Sequence, residues 1–118
     1  MQINVNGVTT EGVVSGGNDY QPVGAGDSDL LGTAGKIGDY IEGLLCVVAT
    51  PADAEVSIID GDGEVGATTI VVFPANPGAG IGSYFVPLGI TSKVGGWTVD
   101  AGTGVSVLAT GRFTKAPV

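Results

Sequence analysis

Asp60-Gly61-Asp62-Gly63-Glu64 alternates carboxylates with glycines, and closely spaced carboxylates are the material of a calcium loop. The helix–loop–helix calcium pattern requires further acidic or amide positions before its glutamate, and Gly66-Ala67-Thr68 supply none. The stretch therefore reads first as a solvated hairpin tip, and Asp19, Asp27 and Asp29 read the same way. Glycoside hydrolysis needs two carboxyl groups held across a cleft at a defined separation. With 12 acidic residues in the chain, pairs arise by chance, and a single tryptophan offers no broad sugar platform. Serine chemistry lacks its usual base, because there is no histidine. Ser15 and Ser83 have no nucleophile-elbow context, which leaves only Lys36 or Lys93 as formal activators. Gly24-Ala25-Gly26 and Gly78-Ala79-Gly80-Ile81-Gly82 are not followed by the Lys-Ser/Thr pair of a phosphate loop. Cys46, the only cysteine, lies inside Leu44-Leu45-Cys46-Val47-Val48 and reads as a small buried hydrophobe. The expectation is a protein with no catalytic residues, no cofactor and no metal.

Charge narrows the partners. The net charge is −8, and the 4 basic residues (Lys36, Lys93, Arg112 and Lys115) are scattered along the sequence. A phosphate-backbone binder needs a dense basic face, so nucleic acid is not expected. Met1-Gln2-Ile3-Asn4-Val5-Asn6 has no basic region leading into an apolar core. The apolar runs are far shorter than a membrane span. A soluble chain made in the cytoplasm is the expectation.

The elements that must position any site are strands. Glycine accounts for 22 of 118 residues, and each would weaken a helix interior by roughly 1 kcal/mol. The best helical window, Ala34 to Leu45, contains Gly35, Gly38 and Gly43. Tyr40 to Ala49 reads as a long strand whose second half is apolar on both faces, the pattern of a strand covered on both sides. Ala54 to Asp60 follows, then the Asp-Gly turn signal, then Thr68 to Phe73, rich in β-branched residues. Ser83 to Leu88 is a further strand, and its Pro87 marks a sheet edge or a strand end. Trp97 to Asp100 and Val105 to Thr110 flank Ala101-Gly102-Thr103-Gly104, which reads as a hairpin connection. About seven or eight short strands result, predicting an all-β antiparallel sandwich or jelly-roll-like barrel. Residues 1–35 are rich in turn chemistry and read as an N-terminal arm or loosely packed entry segment, with the sandwich domain over 36–118.

The aromatic residues are the candidate interface. Trp97 alternates with Val99 and is most simply core, with a subunit contact as the rival reading. Tyr20, Tyr84 and Phe85 lie beside loops as docking candidates, and Phe113 is placed to anchor the tail.

Four segments carry a resemblance: Gly38 to Ala49, Val56-Ser57-Ile58-Ile59-Asp60-Gly61, the loop Asn76 to Gly82, and Gly96-Trp97-Thr98-Val99. Across roughly residues 20 to 113 the chain resembles small virion structural proteins of tailed bacteriophages. Capsid decoration or cement proteins are the nearest in texture. The resemblance implies a homotrimer seated on the phage major capsid protein, clamping the shell of the virion. A tail, neck or fibre component is the alternative within that group. A carbohydrate- or calcium-dependent β-sandwich binding module is the alternative outside it.

Overall fold

Among the described residues the chain forms ten strands, and the longer ones alternate inward and outward residues. In the computed structural model, which describes residues 4–5, 8–9, 18–74 and 80–116, β1 (Asn4–Val5) and β2 (Val8–Thr9) pair with each other. The remaining eight are β3 (Asp19–Val23), β4 (Ser28–Leu30), β5 (Tyr40–Val48), β6 (Val56–Asp60), β7 (Thr68–Phe73), β8 (Gly82–Thr91), β9 (Trp97–Ala101) and β10 (Val105–Arg112). They form two four-stranded antiparallel sheets. Sheet I has the order β3-β10-β5-β8 and sheet II the order β4-β9-β6-β7. The fold is the expected all-β sandwich.

The pairings are nested. β6 pairs with β7, β5 with β8, β4 with β9 and β3 with β10, successive pairs going to alternate sheets. This is one long hairpin rolled around a core, the jelly-roll form of the sandwich. Only the β6–β7 link joins neighbours within one of these sheets, and the Asp60-Gly61 signal marks it correctly, although the connection runs on to Ala67. Pro87 lies on β8, an edge strand.

Two expectations are corrected. Ala101-Gly102-Thr103-Gly104 is not a hairpin, because β9 and β10 belong to different sheets. Val99 and Val107 both face the core from opposite layers, so the chain must cross between them. Gly104 permits the crossing: a Cβ there would lie 2.1 Å from the Thr50 carbonyl oxygen. Its own N–H donates to the Asp53 carbonyl at 2.7 Å. The second correction is the domain boundary. The sandwich begins at Asp19, with β3 and β4 as edge strands and Leu31 fully buried. Apart from the β1–β2 pair, residues 1–17 of the expected arm lie outside the described residues.

The core joins Val23, Leu31, Ile41, Leu44, Cys46, Val48, Val56, Ile58, Val99, Val105, Val107 and Ala109, all at most 3 % exposed. Burying each large aliphatic side chain contributes about 1.5–3 kcal/mol. Trp97 closes one end of this core, and its indole N–H donates to the Asp39 carbonyl at 3.0 Å. The buried Asp39 carboxylate accepts the Thr114 hydroxyl at 2.5 Å and the backbone N–H groups of Thr114 and Lys36 at 3.2 Å. The segment that follows β10 is thus tied to the one that precedes β5.

Candidate protein-docking face

A two-layer sandwich covers one face of each sheet, and the strand registers fix which residues turn outward. On sheet I, Val107 on β10 is level with Val23 and Cys46, all buried. The next residue, Leu108, therefore points away from the core, between Pro22 on β3 and Leu45 on β5, and Leu45 is level with Phe85 on β8. One level on lie Tyr20, Thr110, Gly43 and Pro87; one level back lie Ser106, Val47 and Ser83. No charged side chain interrupts these three levels. Charge returns only at the border, where Arg112 on β10 is level with Tyr40 and the exposed Glu42 sits in a bulge beside Gly43.

This face is open to water. Tyr20 is 66 % exposed, Phe85 54 % and Val47 43 %, and Leu45 and Leu108 are half-buried by their neighbours. Gly43 keeps the centre flat. A Cβ at that position would lie 2.5 Å from Cζ of Phe85, so the phenyl ring rests against the glycine. The central level, Pro22, Leu108, Leu45 and Phe85, is thus an uninterrupted apolar strip across all four strands, with the hydroxyl groups of Thr110, Ser106 and Ser83 on the levels beside it.

Elsewhere the buried carboxylate of Asp60 is occupied by the fold. The Asp60 carboxylate accepts the N–H groups of Lys93, Val94 and Gly95 at 2.8, 3.1 and 3.2 Å. It secures the β8–β9 connection, while Asp62 and Glu64 are exposed. Among the described residues no group of three or more His, Cys, Asp or Glu is arranged to hold a metal. Cys46 is fully buried, and burial pushes its thiol up to about 11. Lys115, hydrogen-bonded to Asp19, holds that carboxyl below the ordinary carboxylate range. A cleft of about 560 Å³ opens between the edge strands β7 and β8, with Ile70, Ile90 and Trp97 in its wall and Lys93 and Asp60 beside them. Asp60 turns its oxygens to the backbone of residues 93–95 at the rim of this cleft.

The structure brings two of the five aromatic candidates onto one surface, Tyr20 and Phe85, on the opposite edge strands of sheet I. Tyr84 points the other way: its ring packs against Phe73 at 5.6 Å, and its hydroxyl donates to the Gly80 carbonyl at 2.9 Å. Trp97 and Phe113 are 2 % and 4 % exposed and belong to the core, so neither is offered to a partner by the free chain. The residues bridging Tyr20 to Phe85 (Pro22, Leu108, Leu45 and Val47) are aliphatic, and the aromatic signal misses them. Their one sequence signal is the strand Leu44 to Val48, apolar on both faces. The chain matches no protein-family model and no curated protein.

Proposed function

We propose that this is a non-enzymatic structural protein that works by docking the outer face of sheet I on other protein surfaces. In keeping with the resemblance, the docked surface is the exterior of a phage capsid shell, which the protein stabilises. The observation that carries the reading is β5. Leu45 and Val47 give it a second apolar face that a two-layer fold leaves uncovered. Jelly rolls serve viral shells and lectins alike, so the fold does not choose between these uses. The face favours the shell, because a sugar site is built from a few placed polar groups in a concavity, and this surface is flat and uncharged. Binding only the assembled lattice would stabilise that state by linkage, and many copies on one shell gain from multivalency.

The test is co-sedimentation with empty shells of the phage that carries the protein, followed by thermal melting of the shells. Binding with a raised shell melting temperature is expected, and Leu45→Asp should abolish both. Shells whose stability is unchanged by a bound protein would sink the reading. So would a Leu45→Asp variant that binds like the parent. A calcium-dependent rise in the protein's own melting temperature would favour a ligand-binding module instead.

A further inference from the structure

We propose that in solution the sheet I face is covered by a second copy of this chain, packed face to face about a twofold axis. The axis runs parallel to the strands, between β10 and β5. The inference rests on the docking role proposed above and names one partner for that face. Sheet I is a four-strand sheet with β10 and β5 at its centre and β3 and β8 at its edges, so this rotation lays β10 over the partner's β5. Residues at one level stay at one level. Leu108 meets the partner's Leu45, and Pro22 meets the partner's Phe85. At the border Arg112 comes over the partner's Tyr40, next to the partner's Glu42.

Charge selects this arrangement. Arg112 and Glu42 are the charges that border the apolar levels, and the rotation pairs them with opposite sign twice. A twofold axis perpendicular to the strands at the level of Leu108 would instead carry Arg112 two levels back, past Ser106 and Val47, and away from the partner's Glu42. Like-charge or unpaired juxtapositions of this kind are what interfaces select against. The size sets the strength. Three levels across four strands span about 20 Å by 20 Å, or roughly 400 Å² in plan for each copy, below the ~800 Å² a side of a standard interface. The pair is therefore expected to dissociate on dilution, which leaves the face available to a shell.

The test is light scattering coupled to size exclusion over a wide concentration range. Twice 11.6 kDa is expected at high concentration and a single chain on dilution. Arg112→Glu and Glu42→Arg should each weaken association about tenfold or more, and the two together should restore it. Both positions are exposed, so folding is not at stake. A monomer at every concentration overturns the proposal, as does a trimer indifferent to the swaps, or a double variant no better than either single one. Failure of the docking reading is read separately: shell binding that survives Leu45→Asp removes that reading, whereas shell binding without any dimer removes only the pair.

Discussion

The outer faces of the two sheets follow the same alternation and carry different chemistry. On sheet II the outward levels are Ser28, Asp100, Ser57 and Val71, then Leu30, Thr98, Ile59 and Thr69. Hydroxyl groups and a carboxylate intersperse the aliphatics there. On sheet I the central level is Pro22, Leu108, Leu45 and Phe85 without a polar side chain, and the hydroxyl groups of Thr110, Ser106 and Ser83 fall on the flanking levels beside Tyr20, Val47 and Pro87. Folding requires only the inner faces, which are apolar in both sheets. The difference between the outer faces is therefore not required by the fold, and the docking role proposed above rests on it.

Adjacent residues offer the largest test of that contrast. Leu44 is fully buried and Leu45 faces outward. Leu44→Ala should cost about 2–5 kcal/mol in urea unfolding, and Leu45→Ala under about 1 kcal/mol. Equal losses would mean that the outer face is part of the stability of the single chain. Next is Asp60, at the end of sheet II. Asp60→Ala strands three backbone N–H groups and should cost about 2–3 kcal/mol, with Asp60→Asn intermediate and association through sheet I unchanged. Cys46 gives a pH-dependent version of the contrast. Its folded value, about 11, lies above the ordinary thiol value of 9.0, so the unfolded chain gives up the proton first. The stabilisation is complete below pH 9 and declines toward pH 11, by about 2–3 kcal/mol at most. Cys46→Ala should flatten that decline in thermal melts, and a cysteine placed by Leu45→Cys should react readily with thiol reagents that leave Cys46 untouched. The smallest effect on stability is the most specific. Leu45→Ser with Val47→Ser should abolish association while changing stability by about 1 kcal/mol or less. Ile59→Ser with Val71→Ser on sheet II should leave association intact.

Much of this architecture is legible in the sequence wherever a strand announces itself locally. β5, β7 and β8 stand out by β-branched and aromatic runs, and Asp60-Gly61 marks the one hairpin between neighbours of a single sheet of the sandwich. β3 and β4 are illegible for a physical reason. Asp19-Tyr20-Gln21-Pro22-Val23 and Ser28-Asp29-Leu30 have weak strand propensity, and each becomes a strand by pairing with β10 or β9, far along the chain. The division of β9 and β10 between sheets is likewise a long-range fact that no turn residue records. In the site, Tyr20 and Phe85 are legible as aromatics, but the aliphatic levels joining them require the register. The apolar run Leu44 to Val48 reads as full burial; in a two-layer sandwich only half of it faces the interior.

The nested pairing also sets an order of events as the chain becomes structured. The β6–β7 turn closes a short loop, β5 and β8 close a longer one around it, and the ladder of β3 with β10 joins Asp19 to Gly111. Loop-closure entropy rises with each step, and non-local ladders of this kind slow folding. During synthesis the β3 segment, which ends at Val23, must wait unpaired until the chain has been made through Val107 to Gly111. The outward apolar levels of sheet I come into register only with that final ladder, since β10 supplies the centre of the face. A nascent or truncated chain lacking β10 lacks the centre of the proposed docking face, so premature association through it would be suppressed by topology.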